Sequence, residues 1–282
     1  MVRPAGAGSV LPHILLSAAL AIMLAPIWFA IVVSTSSVSD FLTGGLGVLP
    51  GDQAIANYRT VLVTGASNVG LSPVGPMLLN SFMMAVAIAA GKIAISIISA
   101  YAVAWFRFPF RTAAFWTIFI TLMLPVEVRI LPTFGVTADL GLLNSFAGLT
   151  IPIIASATAT FLFRQVFMTI PDELTEAARI DNAGPVRFFF DVVLPLSRTN
   201  IAALAIILFI YGWNQYLWPL LVTTDTKYYT VVMGIQRLAQ SAESSPVWHL
   251  AMATAILAML PPVLVVLSMQ KLFVRGLVET EK

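Results

Sequence analysis

The stretch "LTEAARIDNAGPVRFFFDVVLP", residues 174–195, places charged side chains at short intervals in a chain that is otherwise poor in charge. Of the 282 residues, 59% are hydrophobic and 10% are charged, and the mean hydropathy is +0.93. A water-soluble globular domain carries roughly 25% charged residues. The composition therefore predicts an integral membrane protein, in which residues 174–195 form a polar segment that returns to the bilayer.

A helix needs about 20 predominantly apolar residues to cross a bilayer, because its backbone polar groups must be satisfied within the segment. Six stretches meet this criterion, so we predict an all-α protein with six transmembrane helices. They are residues 11–33, 78–106, 112–132, 146–163, 200–222 and 249–270. The first stretch is longer than the apolar core of a signal peptide, about 7–15 residues, and we expect it to be a retained span.

The distribution of Lys and Arg predicts that both termini face the cytosol. With the N-terminus inside, the inner segments hold Arg3, Arg107, Arg111, Arg164, Arg179, Arg187, Arg198, Lys271, Arg275 and Lys282. The outer segments hold only Arg59, Lys227 and Arg237. We expect one transmembrane domain, residues 1–282, with a cytosolic loop at 164–198 and outer loops at 34–76 and 223–248. A short helix is expected near residues 54–62.

Within the cytosolic loop, "MTIPDELTEAARID", residues 168–181, predicts a short helix. Thr169 or Asp172 can cap its start, and acidic residues in the first turn favour the positive end of the helix dipole. One side of this helix carries the residues spaced three or four apart, which are Leu174, Ala177, Ala178 and Asp181. The helix should end at Asn182, which tolerates a positive φ, and Pro195 should mark the bend where the chain re-enters the membrane.

The spacing of this loop resembles a known signature. Glu176-Ala177-Ala178, three residues, Asn182, nine residues, Val192, one residue and then Leu194-Pro195 are similar to the EAA motif of permease subunits of binding-protein-dependent ABC importers. That motif has Gly where this chain has Asn182, and Ile where it has Val192. Asn is the residue next best able to adopt a positive φ.

In that family the loop forms the coupling helix, which docks in a cleft of a cytosolic ATP-hydrolysing subunit. The resemblance implies that Glu176, Ala177, Ala178 and Asn182 belong to this interface. Arg179 and Asp181 are expected beside it. For Leu194 and Pro195, direct contact with the ATPase and a purely structural role in the re-entry bend are both open.

Further stretches resemble the carbohydrate-type permeases of the same family, namely "LGLLNSFAGLTIP", residues 140–152, and "YGWNQYLWPLL", residues 211–221. Together with "MLPVEVRILPT", residues 123–133, and "FVRGLVETEK", residues 273–282, they are similar to permeases of sn-glycerol-3-phosphate importers. The resemblance implies the type I importer fold in a bacterial inner membrane, and import of that substrate or of a related glycerophosphodiester or carbohydrate. It also implies a homologous permease subunit, a solute-binding protein outside and two ATPase subunits that bind ATP and Mg²⁺.

Some polar residues in the spans are candidates for the substrate pathway. Lys92 lies too far from either end of its span to reach an interface, so it must face protein or a water-filled cavity, where a cation suits a phosphate group. Arg129 could act similarly, and an ion pair with the partner permease is the alternative. Glu127 needs a partner other than Arg129, which is two residues away. Asn214 is expected to line a cavity, and Trp213 to line the pathway or to belong to an interfacial aromatic belt.

Other functions lack the residues they require. "AAGKI", residues 89–93, lacks both the first Gly and the Ser or Thr of a nucleotide-binding loop, so we expect no cofactor in this chain. It has no Cys and only two isolated histidines, so neither a metal site nor a catalytic site is expected, and its scattered basic residues do not suggest nucleic-acid binding. A secondary transporter or channel driven by an ion gradient is the alternative, but Glu127 is the only acidic residue in a predicted span.

Overall fold

The structure is a computed structural model that describes residues 10–45, 47–65, 72–124, 126–242 and 247–279. These residues form helices and contain no strand. The α-helices are α1 (Val10–Thr35), α2 (Val38–Leu42), α3 (Ala54–Arg59), α4 (Val74–Trp105), α5 (Arg111–Met123), α6 (Val126–Asp139), α7 (Phe146–Thr150), α8 (Ala157–Met168), α9 (Asp172–Ile180), α10 (Pro185–Phe188), α11 (Leu194–Leu196), α12 (Arg198–Trp213), α13 (Leu217–Val222), α14 (Val231–Ser241) and α15 (Trp248–Glu279).

Within the described residues, three helices are long and apolar enough to cross a membrane: Val10–Thr35, Val74–Trp105 and Trp248–Met269. Two bent pairs bring the number to five if each pair is one span: Phe146–Ile153 with Ala157–Met168, bent by 50°, and Pro185–Leu196 with Arg198–Trp213, bent by 72°. The all-helical, multi-span prediction is confirmed. The third predicted span, residues 112–132, instead falls on α5 and α6, which lie on either side of residue 125, outside the described residues. A count of six spans therefore remains a prediction.

The chain forms two compact units. The first comprises Met1–Pro76 and Gly234–Met259. Its α3 confirms the short helix expected near residues 54–62, and it holds the end of α1 in place. The side-chain amide of Asn57 donates to the carbonyl oxygens of Ser34 and Ser36, each at 3.0 Å. The free carbonyl groups at the end of α1 are thereby satisfied.

The second unit comprises Met77–Met233 and Leu260–Lys282 and contains every candidate site residue. Its buried core joins α4, α6, α7 and α13 through Met84, Ile88, Ile130, Leu149, Trp218 and Val222. Two glycines allow close approach to this part of α4. A Cβ atom on Gly212 would lie 2.9 Å from Cα of Ala85, and one on Gly91 would lie 2.8 Å from Cγ2 of Ile154. Gly91, in the stretch "AAGKI", thus serves helix packing.

Two predicted spans are interrupted near a proline. Residues 146–163 were expected to form one helix, but α7 and a 3-10 turn (Ile151–Ile153) end before α8 begins at Ala157. Pro152 has no N–H to donate to the carbonyl of Gly148, four residues earlier. Residues 200–222 are likewise split into α12 and α13, because Pro219 cannot donate to Gln215. Each break leaves backbone groups that need partners from elsewhere.

Candidate functional site

The two breaks open onto cavities beside Lys92, in the middle of α4. One cavity has a volume of about 350 Å³ and is lined by Lys92, Arg129, Ile130, Thr133, Pro152, Ile153, Ala155, Tyr211, Asn214, Gln215, Tyr216, Leu217 and Trp218. An adjoining cavity of about 440 Å³ shares Lys92, Arg129, Ala155 and Tyr211 with the first. The structure therefore brings together three of the residues that the sequence suggested for the substrate pathway: Lys92, Arg129 and Asn214.

Lys92 is 7% exposed, and its charge is not neutralised by a neighbour in the described part of the chain. Its Nζ donates to the carbonyl oxygen of Ala155 at 3.4 Å and lies 4.4 Å from the ring centroid of Tyr211. Among the described side chains, no carboxylate lies within 4.0 Å of this ammonium group. A buried cation held only by a carbonyl dipole and a ring face retains a strong attraction for an anion.

The break between α7 and α8 supplies that carbonyl group. Residues 154–156 are not helical, and the carbonyl group of Ala155 lies outside the hydrogen bonds of both helices. The carbonyl group of Ser156, the N-cap of α8, accepts from the backbone N–H of Thr160 at 3.1 Å. Lys92 donates to the first, and the hydroxyl of Ser96 donates to the second at 3.0 Å. One face of α4 therefore satisfies the interrupted backbone and at the same time holds the cation at the cavity wall.

The second break positions Asn214. This residue ends α12, and the cavity wall continues through Gln215 and Tyr216 before α13 begins. Trp213, in contrast, is 2% exposed and stacks on Phe209 with ring centroids 5.9 Å apart. It does not line either of these two cavities, and its place in the pathway or in an interfacial belt stays a prediction. Trp213 is the last residue of α12, so its ring lies one turn after Phe209 on the same helix and stacks on it.

Arg129 lies on α6 and is exposed toward the cavities, and the hydroxyl of Thr133, one turn later, donates to its carbonyl oxygen at 2.7 Å. Glu127 belongs to the same helix, but its side chain lies outside the described residues. Tyr211 was missed by the sequence reasoning. Its position three residues before Asn214 on one helix was the available signal, because residues at that spacing share a helix face.

The polar stretch 172–180 forms α9, which confirms the short helix predicted there. Its N-cap is Pro171, which has no side-chain cap, so the capping roles predicted for Thr169 and Asp172 are wrong. The hydroxyl of Thr169 instead donates to the carbonyl oxygen of Val166 at 2.7 Å and closes the end of α8. Asn182 has a φ of 54°, which confirms that the helix ends in left-handed geometry.

The surface of α9 is divided between solvent and a cavity. Glu176, Ala177, Asp181 and Asn182 are exposed, whereas Ala178 is half-buried. Ala178 and Arg179 line a cavity of about 400 Å³ together with Tyr101, Trp105, Phe106, Arg107, Thr175, Ala183, Pro185 and Phe188. The predicted face of Leu174, Ala177, Ala178 and Asp181 is therefore only partly correct, because Ala178 turns toward the protein.

Aromatic side chains attach this polar segment to the end of α4. The hydroxyl of Tyr101 donates to the carbonyl oxygen of Pro185 at 2.7 Å. The ring of Trp105 packs against Phe167 and Phe188, with centroid distances of 5.3 and 5.6 Å. These contacts join α8 and α10 to the end of α4.

Leu194 and Pro195 lie in α11 and are half-buried. The helical run Pro185–Leu196 meets Arg198–Trp213 at an angle of 72°, so the bend predicted near Pro195 is confirmed. The hydroxyl of Ser197, at the bend, donates to the carbonyl oxygen of Val193 at 2.7 Å. Within this chain, the two residues shape the re-entry of the segment.

The fold and site define a multi-span helical permease with an exposed polar helix. A sequence model described as "Binding-protein-dependent transport system inner membrane component" matches residues 92–279. The chain belongs to this family of importer permeases. Its structure gives the geometry of the cavity wall beside Lys92 and of the exposed helix α9.

Relatives match almost the whole chain. It is 56% identical over 273 residues to the sn-glycerol-3-phosphate transport system permease protein UgpE of Agrobacterium fabrum, covering 97% of each. It is 54% identical to the protein of that name from Brucella melitensis, covering 100% of each, and 54% identical to the one from Salmonella typhi, covering 97% of each.

Two solved structures share the fold. One chain comes from the crystal structure of a bacterial ABC transporter involved in the import of the acidic polysaccharide alginate. It aligns with a TM-score of 0.79 at 20% identity and covers 96% of this chain and 99% of that one. The second, from an alginate transporter in complex with an alginate pentasaccharide-bound periplasmic protein, has a TM-score of 0.60 at 15% identity, covering 92% and 94%.

Proposed function

We propose that this chain is a permease subunit of an ATP-driven importer for sn-glycerol-3-phosphate, or for a related glycerophosphodiester or carbohydrate. The observation that carries the proposal is the identity of more than half of the residues to permeases named for that substrate, over nearly their full length. The cavity supports it independently, because a buried ammonium group without a described carboxylate partner is suited to a phosphorylated substrate.

Lys92 and Arg129 are the proposed phosphate contacts. Both line the same two cavities, and they differ in how they bind phosphate. Lys provides a point charge, and Arg provides a planar fork that can bind two oxygens at once. Tyr211 and Asn214 offer hydroxyl and amide groups to the remainder of the substrate. An acidic residue of the partner permease remains the other candidate for these cations.

The proposed assembly has this chain cross the bacterial inner membrane six times with both termini in the cytosol. It pairs with a homologous permease, two ATPase subunits that bind ATP and Mg²⁺, and an extracytoplasmic solute-binding protein. The exposed residues of α9 and its end, Glu176, Ala177, Arg179, Asp181 and Asn182, would dock on an ATPase subunit, with Ala178 supporting them from the cavity side. Leu194 and Pro195 would hold the re-entry bend behind this contact.

In this mechanism, ATP-driven closure of the ATPase pair moves α9, and the contact of Tyr101 with Pro185 passes the movement to α4. Because Lys92 lies on α4, the cavity wall moves with α9 and α10. Access then alternates between the two sides of the membrane. This chain contributes the pathway and the connection to the ATPase, and the partner subunits contribute ATP hydrolysis.

The test is uptake of labelled sn-glycerol-3-phosphate by proteoliposomes that contain the complete importer with its binding protein. We expect uptake to require enclosed ATP and to stop when the ATPase subunits carry a hydrolysis-blocking substitution. An ionophore that collapses proton and sodium gradients should leave it unchanged. Uptake that persists without the ATPase subunits and follows an ion gradient would instead establish a secondary transporter, the alternative from the sequence.

A further inference from the structure

The connection between α4 and α5 exposes aromatic and basic side chains together. It consists of residues 106–110, "FRFPF", and Arg111 follows as the first residue of α5. Phe110 is 84% exposed and adopts a φ of 63°, which is rare for a bulky side chain. Phe106 and Phe108 are also exposed. We call residues 106–111 the aromatic-basic turn.

The two arginines of this turn lack acidic partners in the described part of the chain. The sequence has no Asp or Glu between Asp52 and Glu127. No described carboxylate lies within 4.0 Å of Arg107 or Arg111. The one hydrogen bond found for these guanidinium groups joins Arg111 to the carbonyl oxygen of Phe106 at 3.5 Å. Residues 107–112 line an open cradle of about 610 Å³, so both charges remain available to an anion.

The length of the turn keeps it near the membrane surface. α4 is a candidate span that ends at Trp105, and α5 has no charged residue after Arg111. Five residues extend at most about 17 Å, and a connection that must return to α5 reaches only a fraction of this distance from the bilayer. Trp116, on the second turn of α5, is 52% exposed, as expected of an aromatic residue at the level of lipid headgroups.

From these observations we infer that the aromatic-basic turn is a binding site for the headgroup of an anionic phospholipid. Arg107 and Arg111 bind the lipid phosphate, and Phe108 and Phe110 lie among the glycerol and upper acyl groups. Exposed phenylalanines are costly in water and are accommodated at the lipid interface. Arg107 also lines the cavity beneath α9, so the lipid would bind at the end of this unit that bears α9.

The test is native mass spectrometry of the complete importer, released from mixed bilayers of phosphatidylglycerol and phosphatidylcholine. The variant R107Q/R111Q removes both arginine charges and should lower the retained phosphatidylglycerol by about five-fold for each charge. A basic residue near an anionic membrane surface strengthens lipid binding by about this factor. Phosphatidylcholine should be retained equally. R107K/R111K keeps the charge and should retain most of the phosphatidylglycerol. R187Q is the matched control, since Arg187 is exposed but already paired with Asp191 at 3.1 Å.

The same spectra report whether each variant assembles, so a folding defect is separated from a binding defect. Unchanged phosphatidylglycerol retention in the assembled R107Q/R111Q complex would overturn the inference. Loss of the ATPase subunits from that variant, with lipid retention intact, would assign the turn to a protein contact instead. Displacement of the lipid by excess inorganic phosphate would show a site for free phosphate and would equally overturn it.

Discussion

The indole Nε1 of Trp218 donates a buried hydrogen bond of 3.1 Å to the carbonyl oxygen of Gly148. This carbonyl group lacks its helical partner because residue 152 is a proline. Trp218 therefore closes the break between α7 and α8 with a side chain from α13. We expect W218F to destabilise the importer by about 1–3 kcal/mol, since it leaves a buried acceptor unsatisfied. Thermal unfolding of the purified complex measures the effect, and W116F, which alters an exposed ring, should not change it.

Gly148 packs against the chain that precedes α7. A Cβ atom at this position would overlap the carbonyl oxygen of Leu142, so G148A should cost roughly 1–3 kcal/mol or more through overpacking. Gly135, within α6, is the matched control, because a Cβ atom there meets nothing within 4 Å. G135A should be neutral or slightly stabilising, since Ala is the better helix former. Equal thermal stability of the two variants would contradict this account of Gly148.

The charge of Lys92 should matter for a phosphorylated substrate. We expect K92Q, and likewise K92A, to lower ATP-driven uptake of sn-glycerol-3-phosphate by about 10- to 100-fold, the worth of a hydrogen bond to a charged group. K92R should retain part of the activity. S96A is the matched control, because it removes a bond to the same backbone break without removing a charge. The measurement is the rate of uptake by proteoliposomes for each Lys92 variant, compared with that for S96A. Similar losses in K92Q and S96A would indicate a structural role for Lys92, and unchanged uptake would remove it from the pathway.

Charge reversal on the exposed face of α9 should uncouple transport. E176K is expected to lower uptake by roughly ten-fold or more. If Glu176 faces a basic group of the ATPase subunit, the new lysine places two like charges in contact, which costs several kcal/mol. Membrane insertion should be unaffected, because Glu176 is exposed and outside the helix packing. The measurement is recovery of the ATPase subunits with the tagged permease. E173K makes the same reversal in the first turn of α9, outside the EAA motif, and should be milder. Normal ATP-driven uptake in E176K would refute the docking role.

The left-handed geometry at Asn182 makes a separate prediction. N182G should keep full activity, because Gly adopts a φ of 54° without strain. N182V should strain the end of α9 by roughly 1–3 kcal/mol, since a β-branched residue is disfavoured there. Hydrogen exchange of the α9 amides and uptake should both report the difference. Equal protection of α9 in the two variants would mean that the chain ends this helix in another way.

The sequence predicted those features that depend on near neighbours. The first, second and sixth predicted spans, residues 11–33, 78–106 and 249–270, correspond to α1, α4 and α15. The positive φ of Asn182 also followed from the sequence, because residue type limits local backbone geometry. One local signal was passed over. Ser37 and Asp40 form a capping box at the start of α2, and their spacing of three residues was visible in the sequence.

The spacing of the EAA motif and the excess of apolar residues were enough to predict a membrane permease with a coupling helix, because both are properties of the chain read in order. The permease family and the exposed helix at this position are confirmed. Only the tertiary structure showed that the predicted span 146–163 is interrupted between α7 and α8. It also showed that Trp213 is buried and that Lys92 contacts Ala155 and Tyr211. Trp218 and Gly148 are 70 residues apart. A carbonyl group freed by a proline takes its new donor from whichever helix packs beside it, and sequence proximity does not specify that neighbour.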